Sequence, residues 1–185
     1  MNLANNLTVF RILLVPIFAG SLFYYSPERG LLYGIGLGIF LLACLTDAVD
    51  GYVARKMGQK TILGSYIDPI ADKLLLLTGF LSLSFMGHLP PSMKIPAWVT
   101  ISVVARDILI FIGSVMIFVI QGSLKAEPNF VGKITTVFQM STLWVALIAA
   151  PKFLQNAFFV STVILTVISG ILYIRMGGRL LQTPS

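Results

Sequence analysis

Six long apolar blocks, separated by short polar breaks, dominate the pattern of the chain: Leu7–Tyr25, Leu31–Val49, Asp68–Met86, Ala97–Gln121, Thr135–Ala150 and Phe158–Met176. A helix needs about 20 mostly apolar residues to cross a hydrocarbon layer about 30 Å thick. Five blocks reach that scale, and the short fifth one is expected to start earlier or to tilt. The breaks carry turn chemistry: Ser26-Pro27-Glu28-Arg29-Gly30, Gly87-His88-Leu89-Pro90-Pro91 and Glu127-Pro128-Asn129. Lipid offers backbone N–H and C=O groups no partners, so segments of this kind fold as helices. The pattern predicts an all-α, polytopic membrane protein with six transmembrane helices, built as one domain over residues 1–185.

Composition agrees. Hydrophobic residues make up 57% of the chain and charged ones 11%, with a mean hydropathy of +0.92. Soluble domains carry about 25% charged residues. The net charge of +6 forms no basic face, because the cations stand between the apolar blocks; no nucleic-acid partner is expected. Six spans put both termini on one side. Assigning that side to the cytoplasm gives it Arg11, Arg55, Lys56, Lys60, Lys125, Lys133, Arg175 and Arg179, and leaves Arg29, Lys94 and Lys152 opposite. Eight against three satisfies the positive-inside rule. The first cation, Arg11, already lies inside the first apolar block, so a cleavable signal peptide is not expected. Cys44 has no partner for a disulfide and reads as a small core residue. His88 stands alone in a Pro-rich loop, leaves no material for a histidine metal site, and is given no role. Gly34, Gly36 and Gly38 would let a neighbouring helix approach the second span closely.

The chemistry concentrates in the carboxylates. Of seven acidic residues, Asp47, Asp50, Asp68 and Asp72 lie within 26 positions at the ends of two apolar blocks. A carboxylate deep in hydrocarbon costs roughly 3 kcal/mol, so residues of this kind commonly face a cavity and serve a function. Asp47 and Asp50 are spaced i, i+3, with Gly51 and Ala54 continuing the same helix face; Gly64, Asp68 and Asp72 are spaced by four. Pro69 is compatible with a third helix that starts near residue 65. An all-oxygen donor set selects hard cations, Mg²⁺ or Mn²⁺. Two such ions about 4 Å apart clamp a phosphoryl group in a displacement. Gly51, Ala54 and Gly64 leave room for a bulky ligand against the backbone, and Arg55 supplies a fixed charge for a phosphate. Two other readings stand beside this one. The aspartates could cap helices or pair with Arg55, Lys56 and Lys73, or they could form the relay of a cation- or proton-coupled transporter, which would have no use for the glycines and Arg55.

Asp47-Ala-Val-Asp50-Gly51-Tyr-Val-Ala54-Arg55, then eight residues, then Gly64-Ser-Tyr-Ile-Asp68-Pro-Ile-Ala-Asp72, resembles the signature of the CDP-alcohol phosphatidyltransferases at every fixed position. Asn6-Leu7-Thr8, Arg11 and Pro16 are similar to the opening segment of the branch of that family whose acceptor is glycerol 3-phosphate. Gly132-Lys133-Ile-Thr-Thr136-Val-Phe-Gln139 is similar to a second segment of that branch, with Thr135 where a basic residue often stands. The resemblance implies a membrane enzyme of phospholipid biosynthesis that moves a phosphatidyl group from CDP-diacylglycerol onto an alcohol and releases CMP. It implies two divalent cations, Mg²⁺ or Mn²⁺, held by Asp47, Asp50 and Asp68 and completed by Asp72, which also acts as general base. Gly51, Ala54, Arg55 and Gly64 would line the CDP-lipid pocket, with Asn6 or Thr8 reaching the nucleotide. It further implies a homodimer in a bilayer, a bacterial cytoplasmic membrane, with the site and both termini facing the cytoplasm.

The signature leaves the acceptor open. Arg106, Lys133 and Arg175 are the cations outside it that could build a phosphate pocket, and Arg106 leads because a charge inside a span is costly unless used. Its competing use is an ion pair with Asp107, which adjacent positions on a helix disfavour. For Lys133 and Arg175 the competing use is snorkelling at helix ends. A phosphate pocket suits glycerol 3-phosphate; phosphatidylglycerol, the acceptor of a cardiolipin synthase, also carries a phosphate.

Overall fold

The computed structural model describes the backbone of residues 3–26, 30–57, 62–121 and 130–182, and side chains at 9–26, 30–46, 70–117, 119–120 and 130–178. Among the described residues there are six helices and no strand: α1 Leu3–Phe23, α2 Gly30–Met57, α3 Ile62–Phe85, α4 Ala97–Gln121, α5 Phe130–Leu147 and α6 Lys152–Gln182. The α4 bounds coincide with the fourth apolar block, and α5 starts earlier than its block, at Phe130. α6 extends past its block at both ends, from Lys152 to Gln182, and the departures that bear on the site are in α2 and α3. α2 runs on past Val49 to Met57, so the whole first half of the carboxylate signature lies on one continuous helix. α3 begins at Ile62, which puts Gly64, Asp68 and Asp72 on one helix. That start also moves Pro69 beyond the first turn, where its ring removes one i→i−4 bond. Helices packed in lipid tolerate such a loss, and α1 likewise carries Pro16 in its interior.

Three helical stretches, Ala97–Ile117, Phe130–Leu147 and Lys152–Gly178, are long and apolar enough to cross a membrane, while Val9–Phe23 and Gly30–Thr46 are shorter apolar stretches. Polarity is inverted relative to a soluble protein. Thr135, Gln139, Thr142, Gln155 and Thr162 are completely buried, whereas Phe111, Val119, Ile120 and Phe153 are exposed. Polar groups gain by pairing inside where the surroundings are hydrocarbon, and apolar side chains lose nothing by facing outward.

The chain divides into two compact units, Met1–Lys94 and Ile95–Ser185. In the first, Arg11, Leu14, Phe18 and Leu22 form one buried stripe of α1 at helical spacing. Phe18 packs on Phe40 of α2 with ring centroids 5.9 Å apart, and Tyr25 meets Tyr33 at 6.1 Å. Those pairings make α1 and α2 antiparallel. Of Gly34, Gly36 and Gly38 on α2, Gly36 is the one at a close approach: a Cβ there would stand 2.9 Å from Ser21 Oγ, while Gly34 and Gly38 have nothing within 4 Å. α3 contributes Leu75, Leu76, Phe80 and Leu83 to the core. His88, in the loop after α3, places Nε2 2.9 Å from the Leu22 carbonyl at the end of α1, which also accepts from the Tyr25 N–H at 3.4 Å. Cys44 is half-buried, less enclosed than a core position.

In the second unit, Thr142 and Thr162 share a hydrogen bond of 2.6 Å, and the Thr135 hydroxyl is divided between the Val131 and Leu165 carbonyls at 2.8 and 3.3 Å. Rising numbers on α5 thus meet falling numbers on α6, an antiparallel pair. α4 and α6 run parallel, because Arg106 meets Ser169 and Ser114 meets Tyr173. The Tyr173 ring lies over Gly113, where a Cβ would come within 2.7 Å of Cε1. α5 ends in a left-handed cap at Ala149 (φ 49°), with the Ala150 N–H donating to the Val145 carbonyl at 3.1 Å.

Candidate active site

The first unit carries the signature on two helices and the opening segment on a third. Asp47, Asp50, Gly51, Ala54 and Arg55 occupy the second half of α2, and Gly64, Asp68 and Asp72 the first half of α3. Asn6 and Thr8 lie on the first turns of α1. Helical backbone keeps the spacing that puts Asp47 with Asp50, and Asp68 with Asp72, one turn apart. The side chains of Asn6, Thr8, Asp47, Asp50, Gly51, Ala54, Arg55, Gly64 and Asp68 lie outside the described residues. Among the described residues no cluster of three or more metal-ligating side chains occurs. The four acidic side chains on these two helices, Asp47, Asp50, Asp68 and Asp72, are all carboxylates, a donor set that fits a hard divalent cation.

Asp72 is described, and it does not stand alone. Arg11 Nη1 donates to its Oδ1 at 2.5 Å; the arginine side chain is 1% exposed and the aspartate 26%. This pair joins the opening segment of α1 to the carboxylate segment of α3. Charge pattern alone makes Arg11 one more topological cation; its burial against Asp72 gives it a place beside the site. The available signal was a cation at an apolar stripe position, three residues before Leu14 and seven before Phe18. A cation there needs a buried counter-charge.

In the second unit Arg106 is buried (8% exposed) and points between α5 and α6. Nη1 donates to Asp107 Oδ1 and Nη2 to Ser169 Oγ, both at 2.8 Å. The long guanidinium arm reaches the adjacent carboxylate after all, which corrects the expectation that neighbouring helix positions would keep the two apart. Gly132 makes room: a Cβ there would lie 3.3 Å from Nη2, tighter than an ordinary contact. Arg106 Nε is buried without a hydrogen-bond partner. Lys133, beside Gly132 in the first turn of α5, and Arg175 on α6 are both exposed. Gln139, seven residues beyond Gly132, is fully buried with both amide atoms unpartnered. Thr135 is fully buried against α6, which accounts for a neutral side chain at that position.

A family model described as CDP-alcohol phosphatidyltransferase matches residues 1–168. The chain belongs to the CDP-alcohol phosphatidyltransferase family. The matched stretch includes both halves of the carboxylate signature, the Arg11–Asp72 pair and Arg106 with Asp107 and Gly132, and ends just before Ser169. Among curated relatives, the chain is 32% identical over 191 residues to a probable phosphatidylglycerophosphate synthase of Mycobacterium tuberculosis (strain ATCC 25618 / H37Rv), covering 100% of this chain and 87% of the relative. It is 30% identical to the CDP-diacylglycerol–glycerol-3-phosphate 3-phosphatidyltransferase of Aquifex aeolicus (strain VF5), covering 98% of each. A protein of the same name from Escherichia coli (strain K12) is 30% identical over 145 residues, 77% of this chain and 74% of the relative. As a member of the phosphatidyltransferase family the chain is an enzyme, and the transporter reading is set aside.

Proposed function

We propose that this chain transfers the phosphatidyl group of CDP-diacylglycerol to glycerol 3-phosphate and releases CMP. The observation that carries the reading is likeness along nearly the whole chain to relatives named for that reaction, among them the Aquifex protein at 98% coverage of both chains. The carboxylate register of α2 and α3 agrees with it.

In this reading Asp47, Asp50, Asp68 and Asp72 hold two divalent cations, Mg²⁺ or Mn²⁺. Such ions, when bound, neutralise the pyrophosphate and make CMP a good leaving group. Gly51, Ala54 and Gly64 let the nucleotide lie against the helices, and Arg55 with Asn6 or Thr8 orients it. Asp72 accepts the proton of the acceptor hydroxyl. That oxygen forms a bond to the phosphorus bearing the diacylglycerol as the bond from that phosphorus to the CMP oxygen breaks. Arg106, Lys133 and Arg175 receive the acceptor phosphate, with Arg106 Nε the guanidinium atom left for it. The setting is a bilayer, a bacterial cytoplasmic membrane with site and termini facing the cytoplasm, and the working unit a homodimer of one-domain chains; the charge asymmetry between loops supports the orientation.

The test is CMP release by the purified protein with Mg²⁺ or Mn²⁺, across glycerol 3-phosphate, phosphatidylglycerol, serine and inositol phosphate, with product masses. Release with glycerol 3-phosphate and a phosphatidylglycerophosphate product is expected. Release with another acceptor alone would overturn the acceptor assignment, and no release with any would overturn the reaction.

A further inference from the structure

Arg11 occupies a position where an apolar residue would be at home. Leu14, Phe18 and Leu22 continue its face of α1, all buried, and on α3 Asp72 is followed by buried Leu75, Leu76 and Phe80. The ion pair therefore lies in line with the apolar contacts that already join the two helices. As a mere fastening, two well-packed apolar side chains would serve as well or better, since desolvating a charge pair offsets its attraction. What the pair supplies, and apolar packing cannot, is direction. A planar guanidinium that is itself 1% exposed and held by α1 fixes the carboxylate on which it closes.

We infer that Arg11 is a positioning residue of the transfer reaction: by binding Oδ1 it sets the rotamer of Asp72 and hence the direction from which that carboxylate meets the acceptor hydroxyl. The inference rests on the role given to Asp72 in the proposed function. It also gives the opening segment of the chain a task in catalysis, through α3. Lysine could keep the charge at this place, but as a single rotatable point charge it holds the carboxylate less firmly.

The experiment compares Arg11→Met, Arg11→Lys and Asp72→Asn in the full-length purified protein with CDP-diacylglycerol, glycerol 3-phosphate and Mg²⁺, measuring kcat, both KM values and the thermal midpoint. Misplacing a catalytic group by about 1 Å costs about 10²-fold. Arg11→Met is expected to lower kcat on that scale with both KM values unchanged, and Arg11→Lys to restore part of the loss. A parent-like kcat in folded Arg11→Met would overturn the inference, as would a change carried in KM alone. If Arg11→Met does not fold, Arg11→Lys decides: lowered kcat at a parent-like midpoint supports positioning, and parent-like kcat overturns it. Asp72→Asn separates the two levels. Parent-like turnover there would remove Asp72 from the reaction and this inference with it, whereas an inactive Asp72→Asn beside an active Arg11→Met would overturn the role of Arg11 alone.

Discussion

Ser169 of α6 accepts a 2.8 Å hydrogen bond from Arg106 Nη2 of α4, and both side chains are buried. The contact fastens two parallel helices at the level where Gly132 leaves room for a guanidinium. With Asp107 on the other nitrogen, Arg106 is neutralised and aimed while its Nε stays unengaged.

That arrangement separates two contributions of Arg106. Ser169→Ala removes one hydrogen bond to a charged group, for which about 1.5–3 kcal/mol is the usual loss. A lowered thermal midpoint with a modest rise in the acceptor KM is expected. Arg106→Ala should raise the KM for glycerol 3-phosphate far more and leave that for CDP-diacylglycerol nearly unchanged. The reverse split, read from initial rates with each substrate varied, would remove Arg106 from the acceptor pocket.

Asp68→Asn keeps size and shape but removes the negative charge. The expected outcome is a folded protein with turnover abolished, because an amide oxygen, though it can ligate a hard cation, supplies no charge to offset that of two divalent ions. Circular dichroism checks the fold and CMP release the activity; near-normal turnover would exclude Asp68 from metal binding.

Ala149 stands at φ 49°, a conformation that costs an L-residue roughly 1–2 kcal/mol and glycine nothing. It is exposed and lies in the turn between α5 and α6, outside both groups of site residues. Ala149→Gly should therefore raise stability by about 1 kcal/mol, less the entropy that glycine loses on folding. Activity should not change. An unaltered or lower midpoint in thermal unfolding would contradict the strain.

The helices and the carboxylate spacing were legible in the linear pattern for a physical reason. Hydropathy and i, i+3 or i, i+4 spacing are local properties, and hydrocarbon leaves the backbone little choice but helix. The ends of α2 and α3 were less legible, because hydropathy falls where Asp47 to Arg55 and Gly64 to Asp68 begin, while the helical backbone runs through them. The sequence by itself determined a polytopic all-α enzyme of a known family and the residues of its carboxylate signature. Only tertiary structure decided that Arg11 closes on Asp72 across 61 positions, that Gly36 rather than Gly34 or Gly38 takes a neighbouring helix, and that Arg106 is held by Asp107 and Ser169. Such pairings depend on the register of one helix against another, and that register is set by packing along whole helix faces, which no local spacing encodes.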